Sequence, residues 1–382
     1  MAVAVTAEQP SHAGSHPRRA PRTGVPPRFV VHAAMRLRSL LLRLADRLLP
    51  SELAVLEHSA RFTVGYLLAA IAELGIADQL IGGPKTATQL AAAAGCDADA
   101  LHRALRSAAV SGLVRLDRAG RFHPTRLTRA LATDAPYSSA AWCAFMASPA
   151  HHAAWGDLVE SLRTGGPAFH RVHGMSLFEW FDAHPAEGRG FAAGLSGLTM
   201  SEAPAIVASY PFPATGTVCD VAGGNGVLLG EVLRGHPHAR GILVEAPLVL
   251  TEAAAYLDSV GVADRVALVD GDFFSDVHAT ADLYLLKWIL HDWDDDDCVR
   301  LLRNVAAAMP TGAKLVVIEG EQDANTPHAR FSPIDLQMLV VTEGGRERSV
   351  SDIQGLLARA GLRPTIVRHT PADLAVVEAV KE

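Results

Sequence analysis

The chain has 382 residues, of which 49 % are hydrophobic and 20 % are charged, so it can bury a sizeable core and is long enough for two domains. Its formal net charge of −7 argues against a nucleic-acid-binding protein as a whole. The four cysteines lie far apart and fit neither a zinc site nor a secreted disulfide framework, so we expect a reducing cytoplasm and no metal. Since no run of about 18 apolar residues occurs, we expect no membrane span.

Residues 1–28 are rich in Pro, Ala, His and Arg and contain a single acid, Glu8, which predicts a disordered tail. An organellar transit peptide is the alternative, although the proline density opposes the amphipathic helix that such a peptide needs. Residues 35–49 then predict a helix with leucines on one face and arginines mostly on the other. We expect this helix to pack on the protein or on a partner, and a membrane-surface role is its alternative.

Residues 29–135 are predicted to form a mostly helical domain that ends in a winged helix. The apolar segment 53–80 predicts helix with a stop at Gly75, and a helix–turn–helix pattern spans residues 86–110. Two short strands around a glycine turn are predicted next. Residues 136–205 predict connecting helices, whose aromatic residues are candidates for the wall of a substrate pocket.

Beyond residue 206 the pattern changes to alternating strands and helices, which predicts a doubly wound α/β domain over residues 206–382. Strands are predicted at 218–221, 241–244, 266–269, 283–286 and 315–318. Ligands of such sheets bind outside the carboxyl ends of the strands, so the residues that follow those ends are candidate site residues.

The first of these strands is followed by a glycine-rich turn and then by an apolar helix. Three of the four positions 223–226 are glycine, namely Gly223, Gly224 and Gly226. Such a turn brings the backbone close to a ligand at a helix N-terminus. A dinucleotide site would need Gly-x-Gly-x-x-Gly, but Leu229 occupies the third glycine position. The spacing instead fits Asp-x-Gly-x-Gly-x-Gly, with Ala222 in place of the first glycine.

This pattern resembles the first motif of class I S-adenosylmethionine (SAM) methyltransferases, in which the turn lies against the methionine part of the cofactor. Glu245 ends the next strand, where an acid can accept from both ribose hydroxyls. Asp272, after the third strand, can accept from the adenine amino group, and Phe273 can pack on the adenine ring. A surface acid and an ordinary Asp turn are the alternatives, and the methyl group of Ala222 could crowd the cofactor.

The most specific stretch is Leu-Lys-Trp-Ile-Leu-His-Asp-Trp at 286–293. It resembles the Leu-Lys-x-x-x-His-Asp-Trp signature of small-molecule O-methyltransferases of the plant caffeate and bacterial polyketide or hydroxyneurosporene type. Pro-Ile-Asp-Leu-Gln-Met-Leu at 333–339 and Glu-Gly-Gly-Arg-Glu-Arg-Ser at 343–349 also match that family. The resemblance covers roughly residues 50–380 and implies a class I methyltransferase Rossmann-like domain. It also implies that the winged helix is a dimerisation element of a homodimer.

The resemblance implies a role for each matching residue. His291 looks like the general base that takes the proton from a substrate hydroxyl, and Glu319 and Glu347 match the two acids that flank and orient it. A phenol has a pKa of about 10 and a histidine of about 6.5, so the imidazole need only share the proton as the new bond forms. Lys287 matches a residue near the adenine side of SAM. A histidine at a helix N-terminus without a catalytic role is the alternative for His291.

We therefore predict a SAM-dependent O-methyltransferase that acts on a small aromatic or polyketide-like natural product. An N- or C-methyltransferase on the same fold is one alternative. A winged-helix regulator that senses a small molecule is another, and DNA contact would then rest on Arg103 and Arg106. We expect no nucleic-acid or membrane partner, and the sequence does not specify the acceptor. The candidates for the pocket wall are Phe178, Trp180, Met200, Trp288 and Met338.

Overall fold

The structure, a computed structural model, describes residues 25–382, so the predicted tail of residues 1–28 lies almost entirely outside the described residues. The first helix, α1, spans Arg28–Asp46 and begins directly after Pro27 rather than at Met35. No residue of α1 is buried. Its leucine face is therefore not covered by the rest of the described chain.

The first domain consists of short helices and three short strands. After α1 its elements are α2 (Ser51–Ala60), α3 (Phe62–Glu73), α4 (Ile76–Ile81), β1 (Lys85–Thr86), α5 (Ala87–Ala94), α6 (Ala98–Val110), β2 (Val114–Leu116), β3 (Arg121–Pro124) and α7 (Arg126–Ala130). The segment 53–80 is helical as predicted but is interrupted at both Arg61 and Gly75. Gly75 has a φ of 61°, a left-handed conformation that glycine adopts at helix ends with little strain.

The second half of this domain is a winged helix, as predicted. A capping box at Thr86 starts α5, and Gly95 ends it with a φ of 68°. The three strands pair antiparallel in the order β1–β3–β2. Phe122 of β3 is buried in one core with Leu90 of α5 and Leu105 of α6, so the strands and helices form a single packed unit.

Residues 136–205 form helices that connect the two domains. They are α8 (Ala140–Met146), α9 (Pro149–Gly156), α10 (Leu158–Thr164), α11 (Ala168–His173), α12 (Leu177–Ala183) and α13 (Pro185–Ser209). Helix α13 packs against α8 and the segment before it. A Cβ atom at Gly197 would lie only 2.5 Å from the carbonyl oxygen of Ser138, so this close approach requires glycine.

Helix α13 is also the one helix in the described part of the chain that is long and apolar enough to cross a membrane by length and composition alone. It is packed against α8 within the fold. Its Glu202 is only 2 % exposed and is ion-paired with residues of the second domain. We therefore interpret α13 as a core helix that joins the two domains.

The second domain is a doubly wound α/β fold, as predicted. Its elements are β4 (Thr215–Val221), α14 (Val227–Gly235), β5 (His238–Glu245), α15 (Pro247–Ser259), β6 (Val266–Asp270), β7 (Leu283–Lys287), α16 (Asp295–Ala308), β8 (Lys314–Gly320), α17 (Phe331–Val341), α18 (Val350–Arg359), β9 (Leu362–His369) and β10 (Leu374–Lys381). The strand order is β6–β5–β4–β7–β8–β10–β9, and β10 alone runs opposite to the other six strands. The five predicted strands are confirmed. Strands β9 and β10 were not predicted, although residues 374–381 form a nearly continuous apolar run.

Strand β7 lies near the middle of the sheet and is buried on both faces. Tyr284 and Leu286 belong to the hydrophobic core on one face, and Leu283 and Leu285 belong to the core on the other. This alternation is the period of a β-strand, and burial on both faces is typical of a parallel sheet. The carboxyl end of β7 is consequently held in a well-packed frame.

The close packing of α13 predicts opposite effects for two glycine substitutions on that helix. Gly197→Ala forces a backbone or side-chain shift and should destabilise the protein by roughly 1–3 kcal/mol. Gly190→Ala meets no atom within 4 Å and should stabilise it by up to about 1 kcal/mol through helix propensity. Thermal unfolding of both variants checks this, and a Gly197→Ala midpoint at or above that of the wild type would contradict the described packing.

Candidate active site

The ends of five parallel strands bring the predicted site residues to one edge of the sheet. In spatial order these residues are Asp272 after β6, Glu245 at the end of β5, Ala222 after β4, Lys287 at the end of β7 and Glu319 near the end of β8. Neighbouring strands are about 4.8 Å apart, so the edge extends over roughly 20 Å. This length suits an elongated ligand that lies across the strand ends.

The turn after β4 has a strained backbone. Ala222 has a φ of 54°, in the left-handed region that residues with a Cβ atom rarely adopt. Gly224 and Gly226 also have positive φ angles, of 57° and 73°. At Gly223 a Cβ atom would lie 2.5 Å from the carboxyl carbon of Asp220. The turn therefore requires its three glycines, and Ala222 adopts its conformation at an energetic cost.

Asp220 is a site residue that the sequence analysis did not select. Its side chain is 1 % exposed, and burial raises its pKa to about 7. One of its carboxyl oxygens has no hydrogen-bond partner among the described residues. An acidic residue within an apolar strand was the available signal. A buried acceptor beside the turn can bind a cationic group of a ligand.

Glu245 holds the glycine turn against the end of β5. Its two carboxyl oxygens accept from the backbone N–H groups of Gly224 and Ala246, each at 2.9 Å. Burial raises its pKa above the ordinary value. Each oxygen retains a second lone pair, so Glu245 can still accept from a ligand hydroxyl.

Asp272 and Phe273 lie together at the far end of the site. One oxygen of Asp272 accepts from the N–H of Phe274 at 2.8 Å, as in an ordinary Asp turn, and the other oxygen makes no side-chain hydrogen bond within the described chain. The ring of Phe273 packs against Phe274 at 4.8 Å and against Trp293 at 6.2 Å between centroids. Both residues occupy the strand end where the sequence predicted them.

Lys287 lies on the other side of the glycine turn from Asp272. In the sheet β7 pairs with β4, so three strand steps separate Lys287 from β6. Its ammonium group forms an ion pair with Glu202 at 2.9 Å and donates to the Thr199 hydroxyl at 3.0 Å. Lys287 therefore lies on the opposite side of the glycine turn from Asp272 and Phe273, the two residues predicted to contact adenine.

His291 follows β7 in a short 3-10 helix, Leu290–Asp292. Its Nδ1 lies 2.8 Å from Oε1 of Glu347, and its Nε2 lies 3.5 Å from Oδ1 of Asp292. An ionised carboxylate can only accept, so Nδ1 carries the proton and Nε2 of the neutral ring is the acceptor. Gly345 permits this contact, since a Cβ there would lie 2.5 Å from the carbonyl oxygen of His291.

Glu319 forms no hydrogen bond or ion pair with the imidazole, in contrast to the prediction that both acids orient the ring. One oxygen of Glu319 accepts from the N–H groups of Ile289 at 3.0 Å and Leu290 at 2.8 Å. Burial raises its pKa to about 7. Glu319 thus fixes the backbone that carries His291, whereas Glu347 contacts the ring.

Arg348 is a second residue that the sequence analysis did not select. Its guanidinium donates to the carbonyl oxygens of Leu290 at 2.6 Å and Trp293 at 2.7 Å and forms an ion pair with Asp295 at 2.8 Å. Only 4 % of its side chain is exposed. Arg348 therefore satisfies the carbonyl groups on both sides of His291. Its position in segment 343–349, which matches the family, was the sequence feature that could have identified it.

The carboxyl groups around His291 decide its protonation. Burial alone would lower the pKa of His291, but Asp292 and Glu347 outweigh burial and raise the pKa well above the ordinary value. Burial raises the pKa of Asp292 to about 6. Because the carboxylates stabilise the imidazolium, the ring is a stronger base than a free histidine. It reaches its neutral form at higher pH or when a cation binds nearby.

Two of the predicted pocket residues lie near this cluster. Phe178 is 37 % exposed and stacks on Trp293 at 5.5 Å with an angle of 17° between the rings. Trp288 is buried, and its ring centroid lies 4.9 Å from that of His291. Met338 and Trp180 belong to a separate hydrophobic core with α9 and α11. Among residues 25–382, no group of three or more His, Cys, Asp or Glu side chains could hold a metal ion.

The fold and its strand-end residues define a class I methyltransferase, and comparisons with known proteins identify the family. A model of the O-methyltransferase domain matches residues 155–363, and a model of the O-methyltransferase dimerisation domain matches residues 56–134. The chain belongs to this O-methyltransferase family. It is a SAM-dependent O-methyltransferase that carries the family's dimerisation domain.

Individual relatives show the same relationship. The chain is 38 % identical to the mitomycin biosynthesis 6-O-methyltransferase of Streptomyces lavendulae, over 81 % of this chain and 88 % of the relative. It is 34 % identical to the 8-amino-8-demethylriboflavin N,N-dimethyltransferase of Streptomyces davaonensis, over 84 % and 93 %. The family therefore includes a protein named for transfer to nitrogen.

Solved structures agree in fold. LaPhzM superposes with a TM-score of 0.83 at 35 % identity, covering 87 % of this chain and 100 % of that chain. The calicheamicin biosynthesis methyltransferase CalO1, in its form with bound S-adenosylhomocysteine (SAH), superposes with a TM-score of 0.75 at 35 % identity, covering 87 % and 98 %.

The raised pKa of His291 predicts the effect of Glu347→Gln in the ligand-free protein. Glutamine keeps an acceptor for Nδ1–H but removes a negative charge, so the pKa of His291 should fall. The neutral ring should then form at lower pH than in the wild type. NMR titration of histidine-labelled protein checks this, with the exposed Glu343→Gln as the control that leaves His291 unchanged. A titration of His291 that is unaffected by Glu347→Gln would contradict the described electrostatics.

Proposed function

We propose that the enzyme methylates a hydroxyl group of a small aromatic natural product, with His291 as general base. The observation that carries the proposal is the 2.8 Å contact between Glu347 and Nδ1 of His291. This contact leaves Nε2 as the acceptor of the neutral ring, and His291 follows β7, the strand that pairs with β4 and its glycine turn. The proposed base would therefore lie beside the proposed cofactor site.

The residues at the sheet edge fit SAM. The free buried oxygen of Asp220 can accept from the ammonium group of SAM. Lys287, at the end of the neighbouring strand β7, is the candidate cation for the SAM carboxylate. The turn at 222–226 allows the backbone to approach closely, since Gly223 has no room for a side chain. Glu245 would accept from the ribose hydroxyls, and Asp272 and Phe273 would contact the adenine. When bound, SAM supplies a methyl group on a sulfonium that leaves as a neutral thioether.

The protein's own contribution to the reaction is proton transfer and alignment. Nε2 of His291 accepts the proton of the acceptor hydroxyl while the oxygen lone pair forms the new bond to the methyl carbon. Glu347 keeps the proton on Nδ1 beforehand and stabilises the imidazolium afterwards. Asp292, 3.5 Å from Nε2, adds a second negative charge beside that imidazolium. Glu319 and Arg348 hold the backbone of the base in place.

A flat acceptor is favoured by the aromatic side chains of the connecting helices. Phe145 lies 4.9 Å from Phe191 and 6.2 Å from Phe181 between ring centroids, and Phe178 stacks on Trp293 beside the base. Aromatic faces of this kind bind planar rings well. A nitrogen acceptor is the second candidate function, favoured by the relative named as an N,N-dimethyltransferase. The paired His291 and Glu347 favour an enzyme over a winged-helix regulator, since a sensor needs no oriented base.

A homodimer is also part of the proposal. The dimerisation model begins at residue 56, and the helices from α1 to α3 expose large apolar side chains. The most exposed large apolar side chains between Arg28 and Glu73 are Leu48, Phe29, Val55, Phe62, Leu56, Leu37 and Leu41. Exposed large apolar side chains in such number are typical of a subunit interface.

His291→Ala tests the proposed base. It should lower turnover by at least about 100-fold, because general-base catalysis contributes about 10²–10⁴. Calorimetry should show a Kd for SAM within about threefold of the wild type, because the imidazole is not among the residues proposed to hold SAM. Turnover is measured with labelled SAM and a panel of hydroxylated naphthoates, anthraquinones and phenazines, using the most active member. The exposed His170→Ala is the control. Turnover that survives within a few-fold would rule out an essential base, and no SAM binding up to millimolar concentration would rule out the cofactor site.

A further inference from the structure

Glu202 is a buried acid outside the strand ends that contacts the segment leading to His291. It lies on α13, and its side chain is 2 % exposed. Its carboxylate accepts from Nε1 of Trp288 at 3.1 Å, pairs with Lys287 at 2.9 Å and pairs with Arg330. It therefore joins the connecting helix to the residues at the end of β7.

The charges around Glu202 keep it ionised. Burial by itself would raise its pKa, but the two cations Lys287 and Arg330 outweigh burial and hold the pKa below its ordinary value. Arg330 also donates to the carbonyl oxygen of Ala372 at 2.8 Å, and its guanidinium lies 5.9 Å from the Trp288 ring. Glu202 is thus fixed on two sides and presents a firm acceptor to the indole N–H.

Trp288 adopts a conformation that needs such support. Its φ of 56° lies in the left-handed region, which is strained for a bulky residue. Its backbone N–H donates to the carbonyl oxygen of Ile318 at 3.1 Å, and its ring is tilted against that of His291 at 4.9 Å. The indole consequently forms one side of the space in which the imidazole rotates.

We propose that Glu202 is a positioning residue for methyl transfer, which acts through Trp288 on the orientation of His291. This inference rests on the proposed function, in which His291 is the base. By fixing the indole, Glu202 limits rotation of the imidazole about its bond to the backbone, so that Nε2 stays directed at the acceptor. Helix α13 carries Glu202 and also Phe191, which packs on Phe145, so one helix contacts both the indole beside the base and the aromatic side chains proposed to face the acceptor.

Two variants separate this role from simple stabilisation. Trp288→Phe keeps an aromatic ring but removes the indole N–H, and Glu202→Gln keeps an acceptor but removes the charge. Loss of one hydrogen bond predicts a fall in kcat of about fivefold for Trp288→Phe. Loss of the charged acceptor predicts about tenfold or more for Glu202→Gln. For Trp288→Phe, the KM for the acceptor used in the assay and the Kd for SAM should stay within about threefold. Glu202→Gln also removes the partner of Lys287, so its kcat is measured at saturating SAM.

The double variant shows whether Glu202 acts through Trp288. We expect its kcat to equal that of Glu202→Gln alone, because the second change removes a contact that the first has already weakened. Rates are expressed per SAM site titrated by calorimetry, so that a loss of folded protein does not count as a loss of rate. Glu231→Gln, a surface acid paired with Arg234, serves as the control with unchanged kcat.

The inference would be overturned if Trp288→Phe, or a folded Glu202→Gln, kept a kcat per SAM site within twofold of the wild type. It would also be overturned if the fold-decrease in kcat of the double variant equalled the product of the two single decreases. If Glu202→Gln does not fold, the kcat of Trp288→Phe alone tests the inference.

His291→Ala is assayed in the same experiment. Turnover in His291→Ala would remove the proposed function itself, whereas an inactive His291→Ala beside unaffected Trp288→Phe would remove only this inference.

Discussion

The hydrogen bond between Glu347 and Nδ1 of His291 is the interaction on which the proposed chemistry depends. It selects the tautomer in which Nε2 accepts, and it supplies the negative charge that strengthens the base. The bond forms because two distant segments meet, the turn after β7 and the glycine-rich segment before α18. Gly345 permits the close approach of these segments because it has no Cβ atom. Arg348 stabilises the approach by donating to the carbonyl oxygens of Leu290 and Trp293, on either side of His291.

Strain and buried charge are concentrated at the same edge of the sheet. Ala222 and Trp288 both have left-handed backbones directly after the neighbouring strands β4 and β7. Asp220, close to the first, has a free oxygen and a pKa raised by burial to about 7. Such groups are costly in a folded protein, and the well-packed strands beside them hold them in place. Binding of a cationic cofactor would offset part of this cost by pairing with Asp220.

The strand ends could be predicted from the sequence because each is a local pattern. The run 218–221 followed by glycines identified the turn at Ala222, and Glu245 followed from the next strand. The neighbours of Lys287 could not be predicted, because β7 pairs with β4 and the sequence does not show this order. The partners of Glu319 could not be predicted either, because the sequence does not show that its carboxylate accepts from the backbone N–H groups of Ile289 and Leu290. Glu202 carries no local signal, since its partners come from other elements.

The most direct measurement is a crystal structure with SAH and an acceptor that the enzyme turns over. The proposed mechanism predicts that the acceptor hydroxyl lies about 2.6–3.2 Å from Nε2 of His291, with Glu347 on Nδ1. It also predicts that the hydroxyl points at the sulfur of SAH, across the space that a methyl group would fill. A hydroxyl bound by another residue, or an imidazole turned away from the acceptor, would contradict the assignment of His291 as the base.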